Sequence, residues 1–123
     1  MEESILLSIK KLLGPSGDYD HFDPDIIIHI NTYLMALTQM GVGPAKGFRI
    51  TGDTETWSEF LPDEDNLEAV KTYVYAKVKL IFDPPLSSSV VQSLEKVAAE
   101  CEWRISVTVD PWEDVKEGIQ NEV

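Results

Sequence analysis

Clusters of glycine and proline divide this 123-residue chain into a few short segments. The clusters lie at residues 14–17, 41–47 and 83–85. Two adjacent prolines, Pro84 and Pro85, cannot continue a helix, because proline lacks a backbone N–H and its ring clashes with the preceding turn. Clusters of glycine and proline also mark loops. The chain therefore divides into about four segments, and its length fits a single domain.

The first two segments have the periodicity and the end signals of helices. Residues 3–13 carry apolar residues at helical spacing, with two lysines near the end. The second helix is predicted to begin with Asp23 as its N-cap and Pro24 as its first helical residue, and to end at Gly41. Its apolar residues extend beyond one narrow face, which is typical of a helix buried by several neighbours. They are Ile26, Ile27, Ile28, Ile30, Tyr33, Leu34, Met35, Leu37 and Met40.

Two further helices are predicted in the second half of the chain. The third opens with Pro62 and three acidic residues, and runs to about Phe82. A serine among residues 87–89 caps the fourth helix. Residues 105–109 alternate in a way that fits either the end of this helix or a short strand. The expected buried side of the fourth helix consists of Val90, Val91, Leu94, Val97, Ala98, Cys101 and Ile105.

A long loop separates the second and third helices. Residues 41–56 contain three glycines and a proline, and residues 48–51 could form a short strand or one arm of a hairpin. A short turn after this loop carries Trp57 and Phe60 inward. The predicted fold class is all-α, a small helical bundle of about four helices with a protruding central loop or short hairpin.

The charge balance of the chain is unusual. Ten Lys and Arg face 22 Asp and Glu, for a net charge of −12. A sequence-independent grip on DNA or RNA needs cations that neutralise phosphates, and an anionic membrane surface needs cations too. The composition therefore disfavours both kinds of partner. Part of the acidity lies in residues 111–123, which we assign to a C-terminal tail after a helical domain of residues 1–110.

No residue pattern supports catalysis or a bound cofactor. The acidic residues 18–25 could hold calcium, but an EF-hand loop needs glycine and glutamate where this chain has Asp23 and His29. We interpret this segment as a turn before a helix. Cys101 lies between two glutamates instead of in the electropositive setting of a reactive thiol, and a single cysteine excludes an intramolecular disulfide. We expect no enzyme, no metal, no cofactor, no signal peptide and no membrane span.

A neighbouring tryptophan and arginine suggest a protein interface. Trp103 points sideways or outward from a helix whose buried side includes Ala98 and Ile105. Trp and Arg are the residues most enriched at interface hot spots. The alternative is that Trp103 lies along its own bundle while Arg104 pairs with Glu100, four residues earlier. The sequence supports these two interpretations about equally.

The chain resembles the head–tail connector, or adaptor, proteins of tailed phages and prophages of low-GC Gram-positive bacteria. The resemblance covers roughly residues 5 to 112 and follows the same order of elements. The residues that carry it are Asp23-Pro24, Gly41-Val42-Gly43, Gly47-Phe48-Arg49-Ile50, Thr56-Trp57, Phe60-Leu61, Phe82-Asp83-Pro84-Pro85 and Glu102-Trp103-Arg104.

The resemblance implies a virion protein at the head–tail junction, assembled in the host cytoplasm. About twelve copies would form a ring beneath the portal protein, extend the DNA channel without binding DNA specifically, and dock the next neck or tail-completion protein. The isolated subunit could remain a monomer until the portal nucleates assembly. In related adaptors the C-terminal segment commonly engages the portal, which implicates residues 105–123. The loop at 42–56 is a candidate for contacts between subunits or with the next ring. The interface candidates are Phe48, Arg49, Ile50, Trp57, Trp103, Arg104 and Trp112.

Two other interpretations compete with a connector. The first is an acidic soluble protein, regulatory or directed against the host, that mimics DNA through its surface charge. Direct binding to a nuclease or a repressor would favour it. The second is a small hydrolase or metal-binding protein built on residues 18–25. Stabilisation by calcium that is lost in Asp20→Ala would favour that interpretation.

Overall fold

The computed structural model describes residues 3–14, 20–62 and 66–109, with side chains as far as residue 107. Within these ranges the chain forms five α-helices and no strand, which confirms the predicted all-α class. The 3-10 turn Asp20–Phe22 precedes the second helix. The helices are α1 (Ile5–Leu13), α2 (Asp23–Gln39), α3 (Trp57–Phe60), α4 (Leu67–Phe82) and α5 (Ser88–Val109).

α1 begins at a serine cap, where the Ser4 hydroxyl accepts a hydrogen bond from the backbone N–H of Leu7 at 3.2 Å. Lys10 and Lys11 lie in its last turn, at the negative end of the helix dipole. Gly14 follows with a φ of 77°, a left-handed conformation that glycine adopts without strain. The buried residues of this helix are Ile5, Leu6, Ser8, Ile9 and Leu13.

The start of α2 differs from the prediction that Asp23 is its N-cap. Phe22 precedes the helix, Asp23 is its first residue and Pro24 its second. Because the 3-10 turn leads the chain into the helix one residue early, the Asp23 carboxylate lies outside the capping position and pairs with Lys10 at 2.9 Å. Asp20 pairs with the same ammonium group at 2.9 Å. These acidic residues therefore tie the start of α2 to the end of α1.

α4 begins later than predicted. We expected the helix to open at Pro62, but its first residue is Leu67. Asn66, directly before it, has a φ of 62°, and a left-handed residue interrupts a right-handed helix. Near the end of the chain, α5 continues through residues 105–109, so this alternating stretch is the end of a helix. Branched side chains there lower helix propensity only slightly.

α4 is the central helix of the bundle. α1 and α2 pack on one side of α4, and α5 packs on α4 with at most marginal contact to the other helices. Tyr73 of α4 meets Tyr33 of α2 edge to face, with ring centroids 6.1 Å apart. Buried residues on several faces are expected for a helix with neighbours on more than one side. They are Val70, Tyr73, Val74, Ala76 and Val78.

α3 is a single turn that fixes two large core side chains. The Thr56 hydroxyl accepts from the backbone N–H of Glu59 at 3.3 Å, and the Glu59 carboxylate accepts from the backbone N–H of Thr56 at 2.9 Å. Trp57 and Phe60 then point into the core, as predicted. The indole N–H of Trp57 donates to the Ser8 hydroxyl at 2.7 Å. This bond satisfies the polar atom of a buried indole and ties α3 to α1.

The central loop is anchored to α2 by a side chain and forms no strand at residues 48–51. The backbone N–H of Ile50 donates to Oδ1 of Asn31 at 2.7 Å, and Nδ2 of Asn31 donates to the Ile50 carbonyl at 2.9 Å. These two bonds satisfy both backbone groups of Ile50, so this residue needs no partner strand. The Glu55 carboxylate accepts from the backbone N–H and the hydroxyl of Thr51, which closes the loop.

Candidate interaction surface

Large apolar side chains are exposed on the outer helices of the bundle. A scattered apolar residue is ordinary on a protein surface, but exposed residues at helical spacing mark a face that a partner can cover. Four of the exposed residues lie on α5 and two lie on α2. On the described surface they are Leu7, Leu12, Phe22, Ile28, Met35, Ile81, Leu86, Val90, Val97, Trp103 and Val107.

Val90 and Val97 form an apolar stripe along the flank of α5, which we call the α5 stripe. They are seven residues apart, so their side chains lie on the same face two turns apart. Their side chains are 50% and 39% exposed, whereas Ala98 and Ile105 are buried. We predicted both valines on the buried side, and this prediction is wrong. α5 packs on one helix only, and a single neighbour covers a narrow face.

Ile28 and Met35 form a second stripe, on the outer side of α2, which we call the α2 stripe. They are also seven residues apart, and each is about three-fifths exposed. The wide apolar pattern of α2 predicted burial by several neighbours, and for these two residues that prediction is wrong. Ile26 and Ile30 face the core of the bundle. No other described element covers the opposite side of the helix at these two residues.

The tryptophan and arginine near the end of α5 behave differently from each other. Trp103 is 65% exposed and points to solvent, as the interface interpretation requires. Arg104 pairs with Glu100, with Nη2 and Nε at 2.8 and 3.2 Å from Oε1, as the alternative interpretation requires. The ion pair holds the guanidinium along the helix surface beside the indole. The two residues together present an aromatic face next to a positioned charge.

Trp103 borders a shallow open cleft of about 630 Å³ between the start of α4 and the end of α5. Both apolar and charged side chains contribute to its walls. An open cleft of this kind suits a protruding side chain of another protein better than an enclosed small molecule, whose sites bury most of the ligand. The lining residues are Asn66, Leu67, Glu68, Ala69, Trp103, Arg104 and Val107.

Two ionisable side chains, Tyr73 of α4 and Cys101 of α5, remain neutral near pH 7. Burial raises the pKa of Tyr73 to about 12, with further contributions from the charge of Glu102 and from Tyr33. Burial also raises the pKa of the Cys101 thiol, and the nearby Glu100 carboxylate adds to the effect. The contact between α4 and α5 is therefore a packing interface, and the thiol lacks the features of a reactive cysteine.

The remaining interface candidates divide into buried and exposed residues. Ile50 and Trp57 are buried in the core at 1% and 2% exposure, so their side chains cannot meet a partner without a rearrangement of the bundle. For these two the expected interface role is corrected to a core role. Phe48 is half-buried, and Arg49 is exposed on the loop. Trp112 and the C-terminal tail lie outside the described residues.

In the described part of the acidic segment before α2, two carboxylates form ion pairs with one lysine. Lys10 lies between the carboxylates of Asp20 and Asp23, and these carboxylates raise the pKa of Lys10 above its ordinary value despite the opposing effect of burial. The Lys10 ammonium group therefore occupies the position between the two carboxylates that a metal ion would take. Within the described ranges, no three His, Cys, Asp or Glu side chains converge to hold a metal ion.

Sequence reasoning missed five exposed residues on α2 and α5 that were not among the interface candidates. They are Ile28, Met35, Val90, Val97 and Val107. The available signal was the width of the apolar pattern, because α2 carries more apolar residues than one packed face can hold. The chemistry of this surface is apolar and aromatic contact beside fixed charges, which is the composition of protein–protein interfaces.

An all-α bundle whose outer helices expose apolar stripes and a tryptophan belongs to the class of helical proteins that associate with other proteins. The phage connector protein family matches residues 5–111, and the chain belongs to this family. It is therefore a structural component of the phage particle that contacts other head or tail proteins. Searches of curated proteins and of solved structures gave no match. No helix in the described ranges is long and apolar enough to cross a membrane.

Proposed function

We propose that this connector protein forms a ring between the portal protein and the tail. About twelve copies make up the ring, which extends the DNA channel and docks the next neck or tail-completion protein. The role is structural and uses no catalytic group, metal or cofactor. The ring assembles on the portal in the host cytoplasm and remains in the virion at the head–tail junction.

The observation that carries this proposal is the exposure of α5. This helix has 22 residues, yet among the described elements it packs chiefly on α4 and leaves apolar side chains in solvent. Trp103, at 65% exposure, is the large aromatic side chain on it. Tryptophan at a surface contributes large contact areas to protein interfaces at low entropic cost. A subunit that neighbouring proteins contact through its outer helix needs such a face, and membership in the connector family implies contacts with other phage proteins.

The net charge of −12 supports a role around DNA that does not involve binding it. Acidic side chains that face a channel repel phosphates, so the genome slides without adhering to the wall. Replacing the channel-facing acids with amides is expected to slow genome ejection, measured as DNA release from purified particles. Ejection at an unchanged rate would contradict this part of the proposal.

The proposed function is tested by co-expression with the portal protein of the same phage, followed by size-exclusion chromatography with mass determination. Co-migration in a fixed ratio near one to one is the expected result, and the mass gives the number of copies. Trp103→Ala should weaken co-migration, whereas Leu12→Ala, at a similarly exposed apolar position on α1, should leave it unchanged. A monomer that elutes apart from the portal would contradict the proposal.

A further inference from the structure

Each chain carries two apolar stripes of equal length that no other described part of the chain covers. The α2 stripe consists of Ile28 and Met35, and the α5 stripe consists of Val90 and Val97. In both, seven residues separate the two side chains, which corresponds to about 10 Å along a helix axis. Two helices that carry equally spaced apolar side chains can pack along these faces with matching contacts.

The two stripes of one chain cannot meet each other. In α2, the residues that face the bundle are Ile26, Ile30, Leu34 and Leu37. Ile28 and Met35 lie about half a turn away from them, so the α2 stripe points away from α4. α5 packs on α4 and has at most marginal contact with α2. The α2 stripe of one chain can therefore meet an α5 stripe only when the α5 stripe belongs to another chain.

Charged side chains beside the two stripes are complementary. Asp25 lies one turn before the α2 stripe, and Arg49 precedes Ile50, whose backbone is bonded to α2. Lys96 is next to Val97 in the sequence. Glu100 and Arg104, which pair with each other, lie one and two turns after Val97 on the exposed surface of α5. The α5 stripe is thus flanked by two bases and one acid, and the surplus base can meet Asp25 beside the α2 stripe of another copy.

We propose that the α5 stripe of one copy docks on the α2 stripe of a second copy of this chain. The proposal rests on the proposed ring and specifies which surfaces build it. Because the two surfaces differ, the contact is head to tail and leaves one α2 stripe and one α5 stripe unpaired at the ends of any open chain of subunits. Such a contact closes a ring when the rotation between neighbouring copies divides a full turn without a shift along the axis, and closure pairs every stripe.

The test uses the full chain with Cys101→Ala, co-expressed with the portal protein, so that the introduced cysteines are the only ones in this chain. Met35→Cys and Val97→Cys are placed in the same chain, and a short bismaleimide crosslinks cysteines that come close. A ladder of covalent multimers is expected, since every chain joins a neighbour on each side. Chains with Met35→Cys alone or Val97→Cys alone should give no covalent dimer. A chain with Leu12→Cys and Val97→Cys is the matched control, because Leu12 is similarly exposed and belongs to neither stripe.

A charged substitution provides a second, independent measurement. Val97→Asp in a chain that carries Met35→Cys and Val90→Cys should lower the crosslinked fraction about tenfold, because a carboxylate would be buried in an apolar contact. Leu12→Asp in the same chain should leave the fraction unchanged. Circular dichroism and thermal unfolding of both variants check that the helices are retained.

The outcomes distinguish this interface from the ring itself. Covalent dimers of chains with Met35→Cys alone or Val97→Cys alone would show a contact between identical surfaces and overturn the proposal. A ring of confirmed mass on the portal, without a ladder above the Leu12→Cys control, would overturn the proposed surfaces and leave the connector function standing. A chain that gives neither a ladder nor a portal complex would overturn both.

Discussion

α1 and α5 use their residues in opposite ways. α1 has nine residues, and five of them are buried. α5 is more than twice as long, yet Ala98 and Ile105 are its only buried side chains among residues 88–107. α1 contacts two other helices and the start of α3, whereas α5 packs chiefly on α4. Length therefore does not measure the contribution of a helix to the core.

The difference teaches where to look for function in a small bundle. Four apolar residues of the short α1 are buried in the core, where their burial stabilises the fold, and Leu7 and Leu12 are exposed. The longer α5 exposes four large apolar residues, which contribute little to the stability of the isolated chain. When a helix has more apolar residues than its own core buries, the exposed ones are available for contact with another molecule. Substitutions of core residues should consequently change the free energy of unfolding, whereas substitutions of exposed α5 residues should change binding to other proteins.

The largest expected difference between the two regions concerns two tryptophans. Trp57→Ala should lower the free energy of unfolding by about 3–5 kcal/mol, because it leaves a cavity in the core. Trp103→Ala should change it by less than about 0.5 kcal/mol, because the side chain is already 65% exposed. Urea unfolding followed by circular dichroism measures both values. Equal destabilisation by the two substitutions would contradict the division into a core region and a binding region.

A pair of glycines tests whether the central loop belongs with α1 in the stable region. Gly43 has a φ of 80°, and a Cβ there would stand 2.5 Å from a ring carbon of the buried Phe60. Gly43→Ala should therefore destabilise the chain by about 2–4 kcal/mol, from backbone strain and overpacking together. Gly47 has a φ of 95° and open space around it, so Gly47→Ala should cost about 1–2 kcal/mol from strain alone. Equal effects in urea unfolding would show that the loop is loosely held.

Two serines give a smaller contrast. Ser8→Ala removes the acceptor for the buried indole N–H of Trp57 and should cost about 1–3 kcal/mol. Ser93→Ala, on the exposed surface of α5, should lie within about 0.5 kcal/mol of the parent chain. Thermal unfolding at neutral pH measures both. A neutral effect of Ser8→Ala would mean that the hydrogen bond between α1 and α3 contributes nothing to the stability of the core region.

The smallest expected effect is the contribution of Glu55, in the central loop, to the pH dependence of stability. Partial burial raises the pKa of Glu55, but hydrogen bonds from the Thr51 hydroxyl and from nearby backbone N–H groups outweigh it, so the pKa lies below its ordinary value of 4.5. A lowered pKa stabilises the fold above pH 4.5, and this contribution is lost as the pH falls through the lowered value. Glu55→Gln should remove part of this acid sensitivity, as measured by unfolding at several pH values. The same pH dependence in Glu55→Gln would contradict the assignment.

The helices and their breaks could be predicted from the sequence because their signals are local. Ser4 and Gly14 bound α1, and the capping box of Thr56 and Glu59 starts α3. The prediction failed at Leu67, the start of α4, because the acids after Pro62 suit a helix start as well as a turn. A left-handed Asn66 has no sequence signal strong enough to outweigh them.

Exposure of the two stripes could not be predicted, because it depends on how many neighbours each helix has. Val97 and Ala98 are adjacent in sequence and both fit an apolar face, yet the first is 39% exposed and the second is buried. Periodicity shows that a helix has a face, whereas packing decides how wide that face is. The anchoring of the central loop to α2 could not be predicted from the sequence either, because the two hydrogen bonds between Asn31 and Ile50 join residues 19 apart.

The most direct test of the central claim, that the outer surface of α5 is a protein-binding surface, is a structure of the chain assembled on its portal protein. Val97 and Trp103 are 39% and 65% exposed in the single chain. In the assembly both side chains should be buried against a neighbouring subunit or the portal, while Leu12 remains exposed. If Val97 and Trp103 remain as exposed in the assembled ring as in the single chain, α5 is not the surface that binds, and the account is wrong.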